Sequence, residues 1–246
     1  MTNQAIPGHC DQQYASTTQL WHRSDSESRY KQNCSDPERL RRLQRHGWYE
    51  CHDLVYSFNS QGFRDDEFDQ RPAALALGCS FTQGEGIKVD QCWPRQLGNL
   101  LQKKVWNLGI GGTSLDTCYR LLEYWINHLN VDSVFCAVPP INRYEVCHNG
   151  WQSFVPMDQG GAEVPDWLKG YHKNYLSCDP NSQLNRSKNI RAMRDICTQH
   201  NVPFYFDYLD NYFAFPSSVS ARDLMHQGLP HMVKMAEDFF AQVNGS

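Results

Sequence analysis

A serine follows directly on a short apolar run in the chain. Residues 74–77 read Ala-Leu-Ala-Leu, and Gly78, Cys79 and Ser80 come next. Such a run, ended by glycine, predicts a buried strand that presents the Ser80 hydroxyl at its carboxyl end. A free serine hydroxyl is a weak nucleophile and needs an adjacent base. Taken alone, a serine at this place is also a common turn or helix-capping residue.

A candidate base and acid occur together near the end of the sequence. Asp223 and His226 are three positions apart, so both side chains can point the same way from a single turn. The carboxylate of Asp223 could accept the imidazole N–H, fix the tautomer of His226 and stabilise the imidazolium. His231 is the obvious competitor for the role of base, but we expect it to stabilise the beginning of the last helix instead.

Two further loops follow predicted strands and could stabilise an oxyanion. Residues 109–112 read Gly-Ile-Gly-Gly, and glycines let a backbone N–H approach a ligand closely. The alternative for this loop is a tight turn with Ser114 as a helix cap. Asn142 offers a side-chain amide as a second donor, or is a turn residue. Arg143 and Glu145 are expected either to pair with each other or to grip a substrate.

The periodicity of the chain predicts an alternation of strands and helices. Strands are predicted near 54–58, 74–77, 105–108, 134–138 and 202–206, and helices near 37–47, 90–102, 114–129, 182–200 and 230–243. Strands that alternate with helices of ten or more residues indicate a parallel sheet covered on both faces. Functional groups are then expected at the carboxyl ends of the strands.

Composition narrows the function classes. The chain has 246 residues and a formal net charge of -4, which gives no indication of a nucleic-acid partner. No run of about eighteen apolar residues predicts a membrane span, and the first thirty residues lack the apolar core of a signal peptide. We therefore expect a cytoplasmic or otherwise non-secreted protein with no membrane partner. The ten cysteines are expected to be reduced, and the adjacent Cys-His pairs lack zinc-ligand spacing, so no metal is expected.

The order of these blocks resembles that of the SGNH (GDSL-type) hydrolases. The matching blocks are residues 78–82, the glycine turn with Gly112, then Asn142, then Asp223 and His226. A segment at 59–65 also resembles one that often precedes the serine block. The resemblance implies a flavodoxin-like, three-layer α/β/α fold with a central parallel sheet and no cofactor.

The same resemblance assigns the roles. It implies Ser80 as nucleophile, His226 as base and Asp223 as the orienting acid, with the Ser80 N–H, the Gly112 N–H and the Asn142 side chain as oxyanion donors. It also implies hydrolysis of carboxylic esters. The chain departs from the family where Cys79 replaces an aspartate and where Arg143 follows Asn142 in place of another aspartate.

Two segments lie outside the predicted core. Residues 1–50 are expected to form an N-terminal arm and helical extension to the hydrolase-like domain at 51–246. Residues 144–181 are predicted to be an aromatic-rich insertion that overhangs the serine. Trp151 and Trp167 are candidates for stacking on a sugar ring, which favours a small-molecule or saccharide ester as substrate. Alternatively, these rings pack the insertion itself.

Three functions remain open from the sequence. A serine esterase, with an acylated carbohydrate as the favoured substrate, is the main hypothesis. An O-acyltransferase would use the same acyl-enzyme and differ only in its acceptor. A non-catalytic binding or structural protein on the same scaffold is the third, and Cys79 as nucleophile is a variant of the enzymatic hypothesis. The oligomeric state is open.

Overall fold

The computed structural model describes residues 12–51, 53–147, 151–154, 166–171, 173–174, 178–213 and 219–245. The strands in these parts of the chain are β1 Thr18–Gln19, β2 Tyr56–Ser57, β3 Ala73–Leu77, β4 Val105–Asn107, β5 Val131–Val138, β6 Tyr144–Cys147, β7 Trp151–Phe154 and β8 Phe204–Tyr208. The helices are α1 Glu27–Ser35, α2 Pro37–Arg45, α3 Ser80–Gln83, α4 Trp93–Leu101, α5 Leu115–Trp125, α6 Asp166–Tyr171, α7 Asp179–Gln199, α8 Asp210–Phe213 and α9 Leu229–Asn244.

A four-stranded parallel sheet in the order β4-β3-β5-β8 forms the centre of the molecule. Leu75 of β3 lies opposite Trp106 on one side and Val134 on the other, so β3 is an inner strand. All five residues of β3 are fully buried. Because the strands are parallel, the loops after β3, β4, β5 and β8 all lie at one edge of the sheet.

Each face of the sheet is covered by a pair of helices. On one face α4 and α9 contribute Trp93, Leu97, Met235 and Phe239 to a buried cluster. On the other face α5 and α7 contribute residues such as Cys118 and Met193 to a second cluster. The predicted three-layer α/β/α arrangement with a central parallel sheet is therefore confirmed.

Helix ends follow the sequence signals. Asp36 caps α2 by accepting hydrogen bonds from the backbone N–H of Glu38 and of Arg39, both at 2.9 Å. Ser114 caps α5 by accepting from the backbone N–H of Thr117. The capping interpretation of Ser114 is thus confirmed.

Several element boundaries differ from the sequence predictions by a few residues, and two of these differences have a local reason. The strand expected at 54–58 is reduced to Tyr56–Ser57, because its antiparallel partner β1 offers only two residues for pairing. The helix expected from 90 begins at Trp93, after a 3-10 turn at Val89–Gln91. Pro94 in the first turn of α4 explains this start, since proline lacks the N–H that helix interiors require. No helix in the described ranges has the length and apolar character needed to cross a bilayer.

Candidate active site

Ser80 is held at the carboxyl end of the inner strand β3 by a tight turn. It is the first residue of α3 and is buried. Gly78 in this turn has a φ of +154°, and a Cβ there would lie 2.1 Å from the Thr82 hydroxyl. Only glycine fits this position. The strand and the short helix therefore fix the direction in which the Ser80 hydroxyl points.

The three predicted catalytic side chains lie in one continuous hydrogen-bonded row. His226 Nε2 is 2.7 Å from Ser80 Oγ, and His226 Nδ1 is 2.6 Å from Asp223 Oδ2. A neutral ring with its proton on Nδ1 would donate to Asp223 and accept from Ser80. Ser80 and His226 are 146 positions apart in the sequence, so the fold alone brings them together.

Hydrogen bonding and charge adjust both members of the acid–base pair. Burial raises the pKa of Asp223, but the hydrogen bond and charge of His226 outweigh burial and lower that pKa to about 2. Burial lowers the pKa of His226, whereas the hydrogen bond and charge of Asp223 raise it, and the net result is a raised pKa. The environment therefore favours an ionised Asp223 beside a ring that readily takes a proton.

A compact turn holds the acid and the base together. Asp223 Oδ1 accepts from the backbone N–H groups of Met225 and His226, each at 3.0 Å. Leu224 adopts a positive φ of 57° inside this turn. The ring of Phe81 contacts the His226 ring edge-on, with 5.0 Å between centroids. The imidazole is thus positioned by a backbone turn on one side and by an aromatic ring on the other.

Two side chains that the sequence did not single out complete the surroundings of Asp223. The Ser24 hydroxyl donates to Asp223 Oδ2 at 2.8 Å and is also in very short contact with Glu85 Oε2. Glu85 is buried and its negative charge helps to raise the pKa of His226. Ser24 lies in the segment interpreted as an arm, and 199 positions separate it from Asp223. No local pattern links such distant residues, so sequence reasoning missed them.

The loop after β4 lies against the turn that carries Ser80. Ile110 donates its backbone N–H to the carbonyl of Gly78 at 3.2 Å, and Gly109 packs against the backbone of Thr82 and Gln83. Gly112, the predicted oxyanion donor, lies in this loop with a φ of +71°. The loop thus packs against the turn and the short helix α3 that carry Ser80, and the role of Gly112 as an oxyanion donor stays a prediction.

Asn142 and Arg143 follow β5 at the same edge of the sheet. Arg143 donates its backbone N–H to the carbonyl of Pro140 at 3.3 Å, so residues 140–143 form a turn. Asn142 Oδ1 is shielded from solvent and has no hydrogen-bond partner among the described residues. A carbonyl oxygen in this state can accept a hydrogen bond from a ligand.

Of the two alternatives for Arg143 and Glu145, an ion pair with each other is the one that the structure contradicts. Glu145 instead forms a two-point ion pair with Arg120 of α5, at 2.8 Å and 2.9 Å. Both partners are buried. The reason is geometric: Glu145 lies in β6, the first strand of the hairpin of β6 and β7, and β6 packs on α5. Arg143 is left without this carboxylate.

The aromatic residues of the insertion differ in their exposure and in whether their side chains are described. Trp167 lies on α6 and is 49% exposed. The side chain of Trp151 is outside the described residues. Tyr144 and Leu168 form a small buried cluster of their own, so part of the insertion packs on itself. Tyr171 of α6 lines a cavity next to Asn142 and Arg143.

The two residues that compete for catalytic roles, His231 and Cys79, are both buried. His231 is buried in the first turn of α9, where its backbone N–H bonds to the carbonyl of Gly228. Cys79 is completely buried, and burial raises the pKa of its thiol. A thiol that resists ionisation is a poor nucleophile, so the geometry favours Ser80 over Cys79.

Glu85, Asp223 and His226 also form a group of potential metal ligands, with ligand atoms within 4.8 Å of one another. Both ring nitrogens of His226 are already engaged, one by Asp223 and one by Ser80. Hydrogen bonding therefore accounts for this grouping without a metal.

Comparison with known proteins adds a structural likeness. The chain is similar in structure to SGNH and GDSL esterases. AlinE4, an SGNH-hydrolase family esterase, shares 13% identity over 72% of this chain and 80% of its own, with a TM-score of 0.37. The psychrotrophic esterase EstA from Pseudoalteromonas sp. shares 14% identity over 71% and 99%, with a TM-score of 0.38.

A third similar structure is Est24, a carbohydrate acetylesterase from Sinorhizobium meliloti. It shares 11% identity over 71% of this chain and 99% of its own, with a TM-score of 0.35. No protein-family model and no curated protein matches the sequence. With so little sequence in common, the geometry of the site carries the case for an activity.

Proposed function

We propose that the chain is a serine esterase that cleaves carboxylic esters through an acyl-enzyme. The observation that carries the proposal is the continuous row from Asp223 through His226 to Ser80, with heavy-atom distances of 2.6 Å and 2.7 Å. These distances lie within the range expected for an activated nucleophile and its base. The row lies at the carboxyl edge of the parallel sheet, where ligands bind in open α/β folds.

The proposed reaction has two halves. Ser80 Oγ attacks the ester carbonyl while His226 Nε2 takes the hydroxyl proton, and the alcohol leaves with that proton. Water then attacks the acyl-enzyme, gives a proton to the same nitrogen and releases the acid, after which Ser80 regains its proton. Asp223 holds the Nδ1 proton and stabilises the charged ring in both halves.

The proposed oxyanion donors are the backbone N–H of Ser80, the backbone N–H of Gly112 and the side chain of Asn142. All three follow strands at one edge of the sheet, Ser80 after β3, Gly112 after β4 and Asn142 after β5. Asn142 would take part through the N–H of its side-chain amide group, from the turn after β5. Donors placed where charge develops lower the barrier to acyl transfer by several kcal/mol in general, about 3 for one donor.

For the substrate we propose an acyl ester of a carbohydrate or a comparable small molecule. Tyr171 lines the cavity beside Asn142, and Trp167 is half-exposed on the same helix. Aromatic faces of this kind pack on apolar faces of a ligand while their polar edges stay wet. Trp151 remains part of the proposal on its sequence position alone.

Replacing Ser80 by Ala is the direct test. We expect Ser80→Ala to lose hydrolysis of 4-nitrophenyl acetate by about 10³-fold or more, since the nucleophile is removed while the oxyanion donors remain. The wild-type protein should also be labelled by a fluorophosphonate probe, and the Ser80→Ala protein should not. Cys79→Ala serves as the matched control and should keep both activity and labelling. Activity that survives Ser80→Ala in full would rule out this mechanism.

A further inference from the structure

A cavity of about 390 Å³ opens beside the Asn142–Arg143 turn. Its walls come from the beginning of α5, the turn after β5, the beginning of β6, α6 and the first half of α7. Because α7 leads into β8, its first half lies at the carboxyl edge of the sheet, the edge that carries Ser80. We call this space the Arg143 cavity.

The Arg143 cavity is lined by two cations and two carboxylates, and both carboxylates are already engaged. Glu145 is held by Arg120 in a buried, two-point ion pair. Asp116 accepts from the side chains of Asn185 and Asn189 at 2.9 Å and 2.7 Å, and also from the backbone N–H of Glu145 at 3.1 Å. Neither carboxylate therefore faces the cavity with an unmet charge.

Arg143 differs from these carboxylates, because part of its guanidinium group lacks a partner among the described residues. Arg143 Nε and Nη1 are shielded from solvent and have no hydrogen-bond partner within the described ranges of the chain. Lys188 on α7 also lines the cavity and is exposed, so it adds a second positive charge there. Buried guanidinium donors without an acceptor are costly, and an anionic acceptor would satisfy them through a charge-assisted hydrogen bond.

The position of Arg143 ties this cavity to the catalytic row. Arg143 is adjacent in sequence to Asn142, the proposed oxyanion donor. Burial has the largest effect on the pKa of both Cys79 and His226, and the charge of Arg143 lowers both pKa values, as the second-largest cause for Cys79 and the smallest for His226. A group bound by Arg143 would therefore lie close to the reacting ester.

We propose that the Arg143 cavity binds an anionic group of the ester substrate, a carboxylate or a comparable oxyanion, through Arg143 and Lys188. The inference rests on the proposed esterase function and specifies its substrate class. The anionic group can belong to the acyl part or to the alcohol part of the ester, and the shared chemistry is the negative charge.

Matched ester pairs test the proposal and distinguish the two sources. The acyl arm compares mono-4-nitrophenyl succinate with its neutral methyl ester, and the alcohol arm compares 4-acetoxybenzoate with methyl 4-acetoxybenzoate. We expect the wild-type protein to have the higher kcat/KM for the charged member of at least one pair. Arg143→Gln should reduce that charged-to-neutral ratio by about 10- to 100-fold, the range that corresponds to one hydrogen bond to a charged group.

Three variants serve as comparisons for Arg143→Gln. Arg143→Lys keeps the charge and should retain part of the preference, although it loses two-point geometry. Lys188→Gln, at an exposed position where folding is not at risk, should lower the ratio by a smaller factor. Arg191→Gln, on the same helix but outside the cavity, should leave the ratio unchanged.

The outcomes separate this inference from the esterase function. Hydrolysis that depends on Ser80 but shows no preference in either pair overturns the anion site and leaves the esterase proposal standing. An equal loss of both members in Arg143→Gln also overturns it. Calorimetric titration of the Ser80→Ala protein with succinate, against dimethyl succinate, provides a readout without turnover. Succinate binding that Arg143→Gln abolishes supports the site even if no ester is cleaved, and absence of succinate binding overturns it.

Discussion

At the residue scale, the carboxylate of Asp223 has the most crowded hydrogen bonding in the site. It accepts from two backbone N–H groups, from His226 Nδ1 and from the Ser24 hydroxyl. Ser24 also contacts Glu85, so one hydroxyl lies between two buried carboxylates. Two carboxylates, those of Asp223 and Glu85, therefore raise the pKa of His226. The hydrogen bond from Ser24 to Asp223 weakens the effect of Asp223 on the ring.

This arrangement predicts opposite pH shifts for two substitutions. The base must be neutral to act, so kcat/KM should rise as the pH passes upward through the raised pKa of His226, above the ordinary value of 6.5. Glu85→Gln removes a negative charge that raises this pKa, and the midpoint should move to lower pH. Ser24→Ala removes a donor to Asp223, strengthens its effect on the ring and should move the midpoint to higher pH.

A pH series of kcat/KM for 4-nitrophenyl acetate measures both shifts. Glu237→Gln, on the exposed face of α9, is the charge-matched control and should give the wild-type midpoint. Shifts of the same sign in Glu85→Gln and Ser24→Ala would contradict the idea that Ser24 screens Asp223.

At the element scale, the contact between the loop after β4 and the short helix α3 fixes the nucleophile. Asn107 at the end of β4 donates its side-chain amide to the carbonyl of Thr82 at 2.8 Å. Gly109 then passes so close to α3 that an added Cβ would lie 2.4 Å from the backbone nitrogen of Gln83. The glycine is needed here for close approach of two backbone segments.

Gly109→Ala is therefore expected to displace α3 and to reduce activity more than stability. Overpacking of this kind costs about 1–3 kcal/mol in the free energy of unfolding. A shift of about 1 Å at the nucleophile can cost about 10²-fold in rate. Urea unfolding and kcat/KM measure the two effects. Gly170→Ala on α6, where no atom lies within 4 Å of the added Cβ, is the matched control and should preserve both.

At the scale of the whole molecule, the N-terminal segment is joined to the loop that carries the base. Asp25 and Arg222 form a buried ion pair, with contacts of 2.7 Å and 3.0 Å, although 197 positions separate them. The hydroxyl of Tyr56 donates to Asp25 at 2.6 Å and accepts from the backbone N–H of Gly86 at 2.7 Å. Residues near both ends of the described chain thus meet beside the catalytic row.

Breaking this pair on one side should destabilise the protein strongly. Asp25→Asn leaves the Arg222 charge buried without its carboxylate, and we expect a loss of about 3–5 kcal/mol in the free energy of unfolding. Asp69→Asn, which removes an exposed ion pair with Arg71, is the control and should change stability little. Urea unfolding of the two variants measures the difference. An equal, small effect in both would show that the segment does not depend on the pair.

Replacing both residues together distinguishes two effects. One is the cost of leaving a single charge buried, and the other is the loss of the contact that holds the N-terminal segment in place. Asp25→Leu combined with Arg222→Leu removes both charges, and the double variant should be more stable than either single variant. Additive losses would indicate that the two residues act independently.

The sequence by itself determined the alternation of strands and helices, and with it the parallel sheet and the edge at which Ser80, Gly112 and Asn142 lie. It also indicated Asp223 and His226, because a turn of three residues is a local feature that short spacing encodes. Periodicity acts over a few residues, which is why the alternation of elements and the parallel sheet could be predicted.

Only the tertiary structure decided how the site is completed. Contacts between distant segments bring in Ser24, Glu85 and Arg222. For the same reason Glu145 pairs with Arg120 and not with the nearby Arg143. The meeting of His226 with Ser80 likewise depends on the path of the chain around the sheet. Such contacts are set by packing in three dimensions, and no local pattern of residue types records them.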